Sequence, residues 1–169
     1  MEAFKGLLRV KGFSLAALFD EKGRLLHLCF GKQPAPRVLR RLERYFPGVL
    51  IREAPLSWCL CLQSLLEAYF EGRQHNLSFP LFIWGSTFEK RVWEIVSQIP
   101  YGEVRTYGWV AQKLGKIQAS RAVGRALASN PLPIFIPCHR IVARQGLGGF
   151  SQGLEIKIFL LELEKTFRQ

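Results

Sequence analysis

The chain has 169 residues, 49% of them hydrophobic and 22% charged, with 24 Lys and Arg against 13 Asp and Glu for a net charge of +11. That length supports one medium domain or two small ones with real cores, and the composition excludes disorder, low complexity and a collagen-like repeat. No apolar run approaches the roughly 18 residues of a membrane span, the opening Met1-Glu2-Ala3-Phe4-Lys5 lacks the plan of a signal peptide, and Cys29, Cys59, Cys61 and Cys138 are too few for a disulfide scaffold, so a monomer in a reducing cytoplasm with no membrane partner is expected.

In chain order, Phe13–Asp20 and Arg24–Phe30 read as strands joined by the hairpin signal Asp20-Glu21-Lys22-Gly23. Ala35–Phe46 carries Val38, Leu39, Leu42 and Phe46 at helical spacing with arginines opposite, and Pro47-Gly48 ends it. Leu56–Phe70 is a Leu-rich helix closed by Gly72. Cys59 and Cys61, two apart, lie on different helix faces and suit buried small hydrophobes better than metal ligands. His27, Cys29 and His75 do not have the spacing of a known zinc site, so no metal is expected. This half reads as a small α/β domain over 1–79, followed by a linker over 80–85.

The second half, 86–169, opens on a capping box, Ser86-Thr87-Phe88-Glu89, followed by Phe88, Val92, Val96 and Ile99 at helical spacing. Thr106 caps a short helix running to Leu114, Gly115 suits its end, and a second helix spans about Ala119–Ser129. Two short helices joined by a Gly-containing turn form a helix-turn-helix pattern. Between Glu103 and Glu155 there is no acidic residue, but there are Arg105, Lys113, Lys116, Arg121, Arg125, Arg140 and Arg144. A field of one sign attracts polyanions, with nucleic acid the first expectation. The second helix has a nearly bare face of Ser120, Ala122 and Gly124, from which Arg121 stands alone.

The apolar run Leu132–Ile136 ends in Pro137-Cys138-His139-Arg140 before Ile141-Val142. If this stretch is extended, neighbouring side chains point apart, and Cys138 and His139 would couple through a bridging water. A last helix is expected over Glu155–Thr166 with Ile156, Phe159, Leu160 and Leu163 on its core face.

Pro137-Cys138-His139-Arg140-Ile141-Val142 resembles the active-site signature of the O6-alkylguanine-DNA alkyltransferases, the methylated-DNA–protein-cysteine methyltransferase family. The resemblance runs from about Ser86 to Glu164. It takes in Gly102-Glu103-Val104 before Tyr107, Arg121-Ala122-Val123-Gly124, Asn130-Pro131, and Ser151-Gln152-Gly153-Leu154 with Lys157. It implies a two-domain α+β fold. A ribonuclease H-like N-terminal domain with an antiparallel sheet would precede a mainly helical C-terminal domain containing a winged-helix-like helix-turn-helix. It also implies self-inactivating transfer of an alkyl group from O6-alkylguanine, and from O4-alkylthymine, in double-stranded DNA to Cys138, without a cofactor.

By the same resemblance His139 acts on the thiol through a water and Glu164 orients the imidazole. Tyr107 crowds a phosphate and protonates the departing base. Arg121 fills the gap left by a flipped nucleotide, while Ser120, Ala122, Gly124 and Arg125 face the minor groove. Asn130 links helix to active-site strand, Pro133 and Phe150 wall the pocket, and the carbonyls of Cys138 and Ile141 with the amide of Ser151 read the guanine. Phe150 stands where the family usually has Tyr, and Arg125 where many members have a small residue, so both bear on the alkyl groups accepted. The alternative, a helix-turn-helix protein that binds alkylated or undamaged DNA without repair, is opposed by Cys138 and the Pro-Cys-His-Arg block.

Overall fold

The computed structural model describes residues 1–168, which divide into two compact units at Trp84/Gly85. The first unit is built on a four-stranded sheet, β1 (Glu2–Val10), β2 (Phe13–Asp20), β3 (Leu25–Phe30) and β4 (Leu50–Glu53), in the order β3-β2-β1-β4. The β1–β2 and β2–β3 pairs are antiparallel, as expected, but β4 runs parallel to β1. The reason lies in the connection: helix α1 (Pro36–Tyr45) separates β3 from β4 and carries the chain back to the end of the sheet where β1 starts. Helix α2 (Leu56–Phe70) follows β4 and packs on β1.

Strand β1 escapes a reading by alternation because Gly6 empties the middle of its buried row. A Cβ at Gly6 would collide with Sγ of Cys59 on α2, so the missing side chain is what lets the helix lie close to the sheet. Cys59 is buried there, but Cys61 is exposed, so only one of the pair serves as a small core residue.

The segment 80–84 is part of the first unit rather than a linker. Leu25 N–H donates to Pro80 O at 2.8 Å and Phe82 N–H to Leu25 O at 2.9 Å, which fixes the segment along β3. Trp84 joins a core of Ala3, Leu18, Leu26 and Leu42, and its indole N–H donates to Leu26 O at 2.7 Å. One buried and one half-buried aromatic, Trp84 and Phe82, with two backbone hydrogen bonds and one from the indole, are more than a free connector carries.

In the second unit, α3 (Thr87–Ser97) starts on the full capping box: Ser86 Oγ accepts from Glu89 N at 3.2 Å and Glu89 Oε2 from Ser86 N at 2.8 Å. Thr106 Oγ1 accepts from Trp109 N at 3.1 Å and caps α4 (Tyr107–Lys113). Gly115, at φ 71°, makes the left-handed turn out of α4, with Lys116 N–H donating back to Ala111 O at 2.9 Å. The turn delivers α5 (Ser120–Ala128), and Trp93 of α3 donates to Ala126 O at 2.9 Å, tying the helix pair down. The strands β5 (Arg105–Thr106) and β6 (Ile141–Val142) pair in parallel, which joins the start of α4 to the chain just after Cys138. Helix α6 (Leu154–Thr166) closes the unit.

The close approach at Gly6 has a measurable consequence. Gly6→Ala should cost about 1–3 kcal/mol in urea unfolding, the range for an overpacked core. In a Cys59→Ala background the same change should cost under about 0.5 kcal/mol, because the collision partner is gone. Equal costs in the two backgrounds would place the strain elsewhere.

Candidate active site

Asn130 follows α5 and is buried. Its Oδ1 accepts from Leu132 N at 2.9 Å, and its Nδ2 donates both to Ile136 O at 2.9 Å and to Cys138 Sγ at 3.1 Å. Ile136 N–H also donates to Leu132 O at 2.8 Å. One side chain thus staples the turn 130–136 and touches the thiol. The turn needs the staple: Ile134 is buried at φ 76°, a left-handed conformation that costs a β-branched residue about 1–3 kcal/mol.

The extended geometry expected at Cys138 is not what forms. Cys138–Arg140 is a single 3-10 turn, with Arg140 N–H donating to Pro137 O at 2.9 Å. Three residues complete one such turn, so their side chains fan out instead of alternating. Cys138 turns to Asn130, while His139 and Arg140 both reach Glu164 on α6.

Glu164 is 1% exposed, and its carboxylate is fully engaged. Oε1 accepts from His139 Nε2 at 2.8 Å and Arg140 Nη2 at 2.7 Å; Oε2 accepts from Arg140 Nε at 2.9 Å and Gly102 N at 3.1 Å. Arg140 Nη1 donates to Ile99 O at 2.7 Å. Burial pushes the Glu164 carboxyl up, but the bonds and charges of His139 and Arg140 outweigh it and hold the group well below the usual carboxylate range. Burial lowers the His139 pKa; Glu164 opposes that, and the charges of Arg140 and Lys157 add to it. The imidazole is therefore neutral near pH 7. Since the carboxylate can only accept, the ring proton sits on Nε2, and Nδ1 carries a lone pair. Nδ1 is buried with no hydrogen-bond partner among the described residues.

Burial also pushes the Cys138 thiol up to about 11, against the pull of the Asn130 amide, the Lys157 charge and the backbone N–H groups of Cys138 and His139. Lys157 on α6 is fully buried, donating to Ile141 O at 2.6 Å and Gly149 O at 3.0 Å, and burial brings its ammonium down to about 8. The core face of α6 is thus Lys157, Leu160 and Glu164, while Ile156, Phe159 and Leu163 are only half-buried. Helical spacing gives both sets, and hydrophobicity alone selects the wrong one.

Tyr107 Oη donates to the same Gly149 carbonyl at 3.4 Å, and burial raises its pKa. Its ring is flanked by two glycines. A Cβ at Gly124 would meet Cε1 at 3.8 Å, and one at Gly148, at φ 71°, would fall 2.8 Å from Cε2 and Oη. Part of the bare face of α5 is therefore ordinary packing against α4. Arg121 and Arg125 are exposed one turn apart, with Ser120 and Ala122 half-buried beside them. Pro133 is buried in the Asn130 turn, and Phe150 and Ser151 are half-buried ahead of α6.

Hydrogen bonds link Cys138 with Asn130, and His139 with Glu164; Ile141 and Tyr107 join through Lys157 and Gly149. Sequence reasoning counted Arg140 in the basic field, whereas it is buried against Glu164, and gave no role to Lys157 or Gly148. The signals were a cation next to an apolar pair, a Lys at the i−7 position from Glu164, and the glycine-rich run 146–149. Among the described residues no group of His, Cys, Asp or Glu could hold a metal ion.

Residues 87–166 match the family model of the 6-O-methylguanine DNA methyltransferase DNA-binding domain. Over 100 residues the chain is 49% identical to the methylated-DNA–protein-cysteine methyltransferase of Methanosarcina acetivorans, covering 59% of this chain and 64% of that protein. The chain thus spans somewhat less than two thirds of that relative's length. It is also similar to the crystal structure of Mycobacterium tuberculosis O6-methylguanine methyltransferase, with a TM-score of 0.80 and 30% identity over 99% of this chain and 95% of the other. A Mycobacterium tuberculosis OGT in complex with DNA superposes with a TM-score of 0.78 at 30% identity, covering 99% and 94%.

The buried cluster sets the acid response of the fold. Below about pH 6.5 an unfolded histidine takes up a proton that His139 refuses, and below about 4.3 an unfolded glutamate takes up one that Glu164 refuses. The unfolded state then binds more protons, so stability falls as pH falls from about 6.5, and further below about 4.3. Urea midpoints measured from pH 7 to 4 should decline throughout. At pH 7, Glu164→Gln should cost about 3–5 kcal/mol by leaving Arg140 buried and uncompensated. A midpoint that is flat between pH 7 and 5 contradicts the neutral, buried His139.

Proposed function

The chain belongs to the methylated-DNA–protein-cysteine methyltransferase family, and from that premise we propose that it repairs DNA by moving an alkyl group from O6 of guanine to Sγ of Cys138. The observation that carries the reading is the wiring of His139: Nε2 is committed to a buried carboxylate, and a bare Nδ1 lone pair lies one residue from the thiol. This is the logic of an activated nucleophile with an oriented base.

The thiol proton passes through a bridging water to His139 Nδ1, and Glu164 stabilises the imidazolium. Asn130 Nδ2 and the Lys157 ammonium stabilise the thiolate as it forms. The sulfur attacks the alkyl carbon: an S–C bond forms, the C–O6 bond breaks, and the electron pair goes to the guanine. The Tyr107 hydroxyl, kept protonated by burial, supplies the guanine's proton and regains one from solvent when His139 releases its own. A thioether has no good leaving group, so each molecule acts once. O4-alkylthymine presents the same ether chemistry and is the second substrate.

A base inside a duplex cannot reach a buried thiol and must be flipped out. The small face of α5, Ser120, Ala122 and Gly124, enters the minor groove with Arg125 toward a phosphate. Arg121 occupies the vacated stack, while Tyr107 crowds the phosphate of the flipped nucleotide. Pro133 and Phe150 wall the alkyl pocket. The guanine edge is read by the amide of Ser151 and the carbonyls of Cys138 and Ile141. The Cys138 carbonyl accepts from Ile141 N–H and the Ile141 carbonyl from Lys157 Nζ, which hold both oxygens in place for the base. The working species is a cytoplasmic monomer on double-stranded DNA.

Incubation with duplex O6-methylguanine DNA followed by peptide mass spectrometry should place one methyl group on the Cys138 peptide, and none on Cys138→Ser. Binding without a mass change would support a non-catalytic DNA-binding protein, and repeated turnover would refute the irreversible thioether. Arg121→Ala should slow the duplex reaction by roughly ten- to a thousandfold, about 1.4–4 kcal/mol, and leave single-turnover reaction with free O6-benzylguanine within a few fold. Equal slowing of both substrates would make Arg121 structural.

A further inference from the structure

We propose that α1 carries a second contact for the phosphate backbone of nucleic acid, on the first unit and separate from the helix-turn-helix. Arg37, Arg40, Arg41 and Arg44 fall at i, i+3, i+4 and i+7, so all four lie within one arc of the helix. Arg37, Arg40 and Arg44 are exposed, and none of the three forms an ion pair among the described residues. Arg41 lies over the rings of Tyr45 and Trp84 at 5.5 and 5.3 Å and anchors the row to the unit.

The row does not serve the helix that bears it. Its members make four like-charged pairs at i,i+3 or i,i+4 spacing, and such pairs destabilise a helix. Arg37 stands in the first turn, where the helix dipole is positive and no acidic residue offsets it. The one carboxylate on the helix, Glu43, is engaged by Gly48 N–H at 2.8 Å. A polyanion relieves all of these repulsions together.

The chemistry selects nucleic acid over lipid. Guanidinium forks match phosphate oxygens in pairs. From Arg37 to Arg44 the helix rises about 10 Å, close to the axial rise of three base pairs at about 3.4 Å each. The apolar side of α1 is not available for insertion into a bilayer: Leu42 is fully buried, and Leu39 and Phe46 pack on the same core.

The proposal rests on the DNA-repair reading, and its test separates the two. The full chain and its Arg37→Gln/Arg40→Gln/Arg44→Gln variant are compared for undamaged duplex binding across a salt series, for binding to phosphatidylserine vesicles, and for single-turnover reaction with free O6-benzylguanine. Three lost phosphate contacts should make the log–log salt slope shallower by about two to three and weaken low-salt binding by at least about tenfold. The free-base rate should stay within twofold, and the melting temperature should not fall. An unchanged slope and affinity, with normal free-base transfer, overturns the α1 contact alone. Loss of vesicle binding with duplex binding intact reassigns the row to lipid and also overturns it. If the unsubstituted chain binds no duplex, the α1 contact falls together with the repair reading.

Discussion

A carboxylate that is almost completely buried must be surrounded by donors, because an uncompensated charge in a low-dielectric interior costs several kcal/mol. Glu164 is in that position, and much of the second unit is organised to meet the demand. The backbone of Gly102 comes from the turn after α3, Arg140 and His139 come from the 3-10 turn, and Arg140 is tied in turn to Ile99 O. Two separate stretches of chain, 99–102 and 139–140, are pinned directly or through Arg140 to one side chain on α6. The 3-10 turn itself follows from this, since only a tight turn lets consecutive residues, His139 and Arg140, reach the same carboxylate. Cys138 then points the other way, toward Asn130.

The electrostatic consequences bear on chemistry. Arg140 already neutralises Glu164, so the carboxylate can orient His139 without making it a strong base. The thiol, pushed up to about 11, is protonated at rest. A protonated thiol is a poor nucleophile toward stray electrophiles, which suits the single use proposed for Cys138. Lys157 donates to the same Gly149 carbonyl as Tyr107, and its charge acts on the Cys138 thiol, so the proposed acid and the proposed nucleophile share one support.

Much of this was legible in the sequence, for reasons that can be named. The capping box at Ser86 and the Thr106 cap are local hydrogen bonds between near neighbours, so residue type and spacing specify them. The Pro-Cys-His-Arg block is also local, and the family resemblance rests on it. Strand β1 was not legible, because Gly6 answers to Cys59 on a helix more than fifty residues later. The parallel edge strand depends on where α1 returns the chain, which no local pattern encodes. On α6, polarity misleads: charged side chains such as Lys157 and Glu164 ordinarily stay in water, yet with Leu160 they are its most buried positions. Their burial makes sense only once the carbonyls and donors that receive them are known. Arg140 was visible as a charge needing a partner, but that partner lies 24 residues away.

The proton route proposed for the thiol depends on His139 being neutral, with its proton on Nε2 and a lone pair on Nδ1. Long-range 1H–15N NMR of the 15N-labelled chain at pH 7 reads both the charge and the tautomer of a histidine ring. For His139, assigned by comparison with a His139→Gln variant, the expected spectrum shows a protonated Nε2 and an unprotonated Nδ1. An imidazolium pattern, or the tautomer with its proton on Nδ1, would contradict the Glu164-directed base and the proton route from Cys138.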